Sequence, residues 1–267
     1  MPTLRLLIEY DGTRYAGWQR QPDAPTIQAT LEDAAASLLG APCRVVGAGR
    51  TDAGVHALGQ VAHAAATTHL APERIRDALN ALLPDDIVVR DVAVAPPTFH
   101  ARRDALLRIY RYVVLTRARP SAFLRSYAHH VAAALDLAAM RAGAAQVEGR
   151  HDFAAFRVTG SAVAWTVCAL QALRIERRDD LVVFTVAADR FLRQMIRRIV
   201  GTLLRVGSGR LEPDAVGAIL RSGDPQRAGP SAPAHGLYLV RVVYGGEGGL
   251  TDFDAPQGAA VSPRGML

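Results

Sequence analysis

The chain has 267 residues, 50% of them hydrophobic and 21% charged, which suits one large domain or two small ones and excludes a disordered polyelectrolyte or a membrane bundle. No apolar run approaches the roughly 20 residues that span a bilayer, and the N-terminal MPTLRLLIEYDG lacks the basic leader and apolar core of a secretory signal, so a cytoplasmic protein is expected. All 31 Lys+Arg residues are arginine, the formal net charge is +6, and Cys43 and Cys168 form no CxxC pair; lysine-dependent chemistry is excluded, no disulfide framework is expected, and a polyanionic partner is.

In chain order, alternation predicts a first strand over Thr3 to Glu9. Thr26 is placed to cap a helix that carries Gln28, Leu31, Ala35 and Leu38 and stops at Gly40. A short strand at Arg44 to Val46 leads into a glycine-rich segment, and another strand covers Gly59 to Ala65. Pro72 opens a second helix with Ile75, Leu79 and Leu82 on one face, and Ile87 to Val94 is a strand. The order β-α-β-β-α-β is that of ferredoxin-like domains, which include the common RNA-binding sheet domain.

The remainder echoes that order. A strand rich in β-branched and aromatic residues covers Ala105 to Thr116, and a helix covers Leu137 to Val147. Strands over Val163 to Ile175 and Leu181 to Ala187 are joined by a turn at Arg177-Arg178-Asp179-Asp180. A helix over Phe191 to Val206, a short helix near Pro213 to Leu220 and a strand over Leu237 to Val243 complete it. The expected fold class is α+β. It has an N-terminal half over 1–103 and a C-terminal half over 104–245, both ferredoxin-like with mainly antiparallel sheets, joined around a basic RNA-binding cleft, and a flexible tail over 246–267.

Chemistry concentrates in Gly47-Ala48-Gly49-Arg50-Thr51-Asp52-Ala53-Gly54. A dinucleotide loop needs a small residue at the sixth place and a helix after it; here Asp52 stands there and a strand follows. A carboxylate among glycines suits close approach of a bulky ligand to an acid that Arg50 can orient and keep charged. In isolation the segment equally suits a turn in which Asp52 only accepts backbone N–H groups. The histidines lack the spacing of a zinc site and no serine lies in a nucleophile elbow, so neither a metal nor a hydrolytic triad is expected.

AGRTDAGVHALGQVAH at 48–63 resembles the signature of the tRNA pseudouridine synthase A family. IEYDGTRYAGWQRQ at 8–21, LNALLPDDIVV at 79–89, FHARRDALLRIYRYVV at 99–114, HDFAAFR at 151–157, RFLRQMIRRIVGTLLRVG at 190–207 and APAHGLYLVRVVY at 232–244 resemble its other motifs in order and spacing. The likeness covers nearly the whole chain up to Tyr244. It implies isomerisation of uridine to pseudouridine at positions 38, 39 and 40 of the tRNA anticodon arm, by a homodimer, with no cofactor. It implies Asp52 as the catalytic residue, Arg50 in flipping the target base, Tyr110 as the residue stacking on substrate, and Phe99, His100, Ala101, Arg102 and Arg103 among the RNA contacts. The segments 117–130 and 162–180 depart from the family pattern.

From the residues themselves, period two puts Arg108, Tyr110 and Tyr112 on one strand face and Arg111 on the other. Arg193 and Arg197 share a helix face at i, i+4, where like charges repel unless an anion intervenes, so Arg197 is expected to approach Asp52 or an RNA phosphate. Arg117, Arg119 and Arg125 suit backbone phosphates. The alternatives are a non-catalytic RNA-binding or tRNA-folding protein, for which a carboxylate at a loop crest has little use, and a small-molecule isomerase or hydrolase, against which the basic balance argues.

Overall fold

The computed structural model describes residues 2–158 and 165–245; the expected tail over 246–267 and the expected strand start at Val163 lie outside them. In chain order the elements are β1 Thr3–Tyr10, α1 Ile27–Leu39, β2 Val45–Gly47, β3 His56–Ala65, α2 Pro72–Leu82, β4 Ile87–Ala95, β5 Ala105–Leu115, β6 His129–His130, α3 Leu137–Ala145, β7 Gly149–Asp152, β8 Val167–Arg178, β9 Leu181–Ala188, α4 Met195–Gly207, α5 Asp214–Ser222 and β10 Leu237–Tyr244. The fold is α+β, with mostly antiparallel strand pairing. Among the described residues two compact units form: one takes in the chain up to Arg108 together with residues 238–245, the other Ile109–Leu237. The last strand thus groups with the N-terminal residues, whereas chain order alone assigned it to the second half.

In the first unit the strand order is β4-β1-β3-β10, with β2 on β3. Alternation along β1 buries Leu4, Leu6, Ile8 and Tyr10. Leu4 and Leu6 line a small apolar cavity with Leu31 and Leu38 of α1 and Ile75 and Leu79 of α2, which places both helices on that face. Local signals set the limits of α1: Thr26 accepts from the Ala29 N–H, and Gly40 ends the helix at φ 68°. On α2 Ile75 and Leu79 are buried, but Leu82 is 51% exposed. The backbone turns extended at Leu83, so Leu83 rather than Leu82 reaches the core.

In the second unit the order is β5-β9-β8-β7, with β6 parallel to β5. Every residue of β9 is buried, as befits an apolar run in a central strand. Arg178 pairs with Leu181, which leaves Asp179 and Asp180 as the turn, Asp179 at φ 51°. The short strands β6 and β7 are polar and carry no alternation that would announce them. Helix α4 begins at Met195 rather than at Phe191, because Gln194 sits in the left-handed region at φ 60° and cannot continue a helix. Arg193 therefore precedes the helix, and the expected helical pair of Arg193 and Arg197 does not form. Among the described residues no helix is long and apolar enough to cross a membrane.

Removing the α1 cap isolates one local signal. Thr26→Ala is expected to lower the unfolding free energy by about 1 kcal/mol, read from the midpoint of urea denaturation at unchanged slope.

Candidate active site

The loop between β2 and β3 carries Arg50, Thr51 and Asp52, and its backbone is held at several points. Ala48 N–H donates to Val61 O at 2.8 Å, and Gly49 O accepts from Gln60 Nε2 at 2.8 Å. The segment after β1 lies against the other side. Trp18 N–H donates to Thr51 O at 3.0 Å, and Gly54 N–H to Tyr15 O at 3.3 Å. Two glycines make that approach possible. A Cβ on Gly12 would stand 2.0 Å from Val55 O, and one on Gly17 would stand 2.6 Å from Thr51 O. Thr51 is buried, and its hydroxyl shares a 2.8 Å hydrogen bond with Tyr10 Oη. The Gly54 N–H that a simple Asx turn would engage is taken by Tyr15. Arg50 is exposed and Asp52 half-buried.

The bracing segment is itself pinned by Asp86, from the run LLPDDI. Asp11 N–H donates to Asp86 O at 2.9 Å, Arg14 donates to Asp86 Oδ2 from Nε (2.8 Å) and Nη2 (2.5 Å), and Tyr15 Oη donates to Asp86 Oδ1 at 2.6 Å. Burial, then the Asp86 carboxylate, raises the Tyr15 hydroxyl well above its ordinary value. The buried His56 stacks on Tyr238 at 4.9 Å. Its Nδ1 meets both the Gly12 N–H (3.1 Å) and Asp11 Oδ1 (3.0 Å).

The FHARR segment forms a tight turn in the same unit. Ala101, implied as an RNA contact, is fully buried: its N–H donates to His63 Nδ1 at 3.1 Å and its carbonyl accepts from Tyr244 Oη at 2.6 Å. It anchors the turn and offers no surface. His100 Nδ1 accepts from the N–H groups of Arg102 and Arg103, both at 3.2 Å, while Asp104 Oδ2 accepts from His100 N–H at 2.7 Å. Phe99 is half-buried against Tyr244, 5.2 Å between rings. Arg102 and Arg103 remain exposed. Desolvation first, then the charges of His100 and Arg103, lower the His63 pKa, which keeps Nδ1 an acceptor near neutral pH. Desolvation, then the Arg50 charge, lowers the Arg102 pKa.

Arg108 was expected to share a face with Tyr110 and Tyr112, and its structural part was not legible from sequence. It is 8% exposed and donates to Ala48 O (3.1 Å), Arg102 O (2.6 Å) and Ala105 O (3.1 Å). One guanidinium thereby ties the entry of the Asp52 loop to the FHARR turn. An arginine inside an apolar strand must bring partners with it, but the sequence does not say which.

In the second unit Tyr110 is 6% exposed and held edge-on to Phe191 at 5.2 Å. Tyr112 is fully buried, donates to Pro233 O at 2.8 Å, and its hydroxyl is raised far above its ordinary value by burial. Arg197 is half-buried and donates from Nε to Ala232 O at 2.6 Å. Arg117, expected to meet phosphate, donates to Arg119 O and Pro120 O of its own loop. Cys43 and Cys168 are buried free thiols. Among the described residues no three His, Cys, Asp or Glu side chains gather as metal ligands.

The profile of the family described as tRNA pseudouridine synthase matches residues 6–104 and 144–245. Among curated relatives, a protein of Acetivibrio thermocellus named tRNA pseudouridine synthase A is 45% identical over 91% of this chain and 100% of its own length. Proteins of the same name from Methylobacterium nodulans and Chloroflexus aurantiacus are 46% and 48% identical over 91% of this chain, covering 96% and 89% of theirs.

Two outcomes test the bracing. Arg108→Met leaves three carbonyls without their donor, those of Ala48 and Ala105 in buried bonds, and is expected to cost about 2–4 kcal/mol in urea denaturation, with Arg108→Lys recovering only part. Tyr10 is raised from 10.0 to about 12, by burial above all. Its stabilisation is therefore complete below pH 10 and is lost as pH climbs through about 12. Tyr10→Phe should show a smaller loss of stability over that window than the wild type.

Proposed function

The chain belongs to the tRNA pseudouridine synthase family and is an isomerase of tRNA uridines; we propose that it acts at positions 38, 39 and 40 of the anticodon arm with Asp52 as the catalytic carboxylate. The observation that carries this reading is the braced loop, which commits its backbone and Thr51 to the fold and leaves Arg50 exposed and Asp52 half-buried.

In the reaction the N1–C1′ bond breaks, the uracil turns, and C5 bonds to C1′. The C5 hydrogen leaves as a proton and N1 gains one, so atoms and electrons balance without an external oxidant. A single carboxylate suffices in kind: it can act at C1′, add to the pyrimidine ring or take a ribose proton. Extruding the target base costs a few kcal/mol. Stacking on Tyr110, whose ring Phe191 orients, would recover about 1–3 kcal/mol. Arg50 assists the flipped base. Arg102 and Arg103 take the backbone phosphates, presented by the turn that Phe99, His100 and Ala101 shape. Arg197 is the proposed contact of an RNA phosphate. We read the fold as two ferredoxin-like halves, for which the order β4-β1-β3-β2 within the first unit is the support. A cytoplasmic homodimer belongs to the same reading.

The test is tritium release from tRNA labelled at C5 of uridine, with no cofactor added. The wild type should release tritium, and Asp52→Asn should slow release by on the order of 10³-fold or more while tRNA binding persists. A folded wild type that binds the anticodon arm and releases nothing would leave the non-catalytic RNA-binding protein as the better account.

A further inference from the structure

The loop between β5 and β6 combines three features that the proposed catalytic chemistry does not use. Phe123 is 87% exposed, more than any other large apolar side chain among the described residues. The backbone that carries it is tightly held. Arg117 donates to Arg119 O and Pro120 O, Arg125 to Ala122 O at 2.6 Å, Leu124 N–H to Ser121 Oγ at 3.2 Å, and the N–H groups of Tyr127 and Ala128 to Leu124 O, both at 2.9 Å. The surroundings are basic: from Arg117 to Leu135 the chain has three arginines, two histidines and no Asp or Glu. Acids flank this stretch at Asp136, next in sequence, and at Asp180, whose carbonyl accepts from Thr116 at the loop base.

Exposing a phenyl ring to water is unfavourable, and a loop that fixes the ring's position while exposing it has the form of a preorganised contact. The charge identifies the occupant. Arginines beside a solvent-facing aromatic ring match a nucleic-acid strand, in which a π-face can stack and the neighbouring phosphates meet cations. We propose that the Arg117–Arg125 loop is a second RNA contact, in which Phe123 stacks on an unpaired base of the substrate and Arg119 and Arg125 meet its flanking phosphates. Arg117 holds the loop in shape. The proposal rests on the tRNA reading for the identity of the RNA, and on the loop alone for the contact.

The experiment measures binding of full-length tRNA by fluorescence anisotropy across a range of salt for the wild type, Phe123→Ala and Phe123→Trp, with the mass of each followed by sedimentation. Phe123→Ala should weaken binding about tenfold with an unchanged salt slope, because a stacking contact is lost and no phosphate contact is. Phe123→Trp should restore it, which a merely structural role for the ring would not predict. Equal binding by Phe123→Ala overturns the proposal. So does a drop in sedimenting mass, which would mean that a second copy of the chain covers the ring. Tritium release by the wild type separates the two readings. Release with normal binding by Phe123→Ala sinks this contact alone, whereas no release with weakened binding sinks the catalytic reading and leaves the contact in place.

Discussion

Gly17 packs against the peptide of Thr51 and Asp52 so closely that a methyl group there would stand 2.6 Å from Thr51 O, and the geometry of the Asp52 loop depends on that approach. From it follow the Trp18 N–H bond to Thr51 O and the Gly54 N–H bond to Tyr15 O. The loop is thereby gripped by a segment some forty positions earlier in the chain. That segment needs its own support, and β1 provides it: pairing with both β3 and β4 brings Asp86 beneath Arg14 and Tyr15. Three motifs that lie far apart in sequence are, in the first unit, one mechanical assembly around a carboxylate.

The arginines divide by what their donors meet. Arg108 and Arg117 are committed to backbone carbonyls, Arg14 to Asp86, and Arg20 to Glu32 and Asp33. Arg50, Arg102, Arg103 and Arg119 are exposed. Net charge alone therefore misstates the basic surface, since Arg108 is buried and Arg14 and Arg20 are paired with carboxylates. A guanidinium suits that work because its planar fork reaches two or three acceptors at once, whereas an ammonium is a point charge. The same property makes the exposed set suited to phosphate.

Several buried polar groups around the Asp52 loop arrive paired, although Gln60 Oε1 is buried without a hydrogen-bond partner among the described residues. Tyr10 meets Thr51, Gln60 meets Gly49, and His63 and Tyr244 hold the two ends of the Ala101 peptide. Each pair joins residues distant in sequence, and each would be costly if half of it were removed. The result is a loop positioned largely by a polar framework drawn from other parts of the first unit, with one turn bond of its own from Val55 N–H to Asp52 O.

What the sequence determined by itself was set by local signals. The cap at Thr26, the stop at Gly40, the alternation of β1 and the glycines around Asp52 act within a few residues of where they stand, so α1, most strands and the Asp52 loop were legible. Tertiary structure decided the rest. It put Leu83 rather than Leu82 in the core, started α4 at Met195 through a left-handed Gln194, turned Ala101 from a contact into an anchor, and set Arg108 across the Asp52 loop and the FHARR turn. The physical reason is common to all four. A residue's local pattern says whether it must be buried or paired, but the partner that satisfies it lies at a sequence separation that only the folded chain closes.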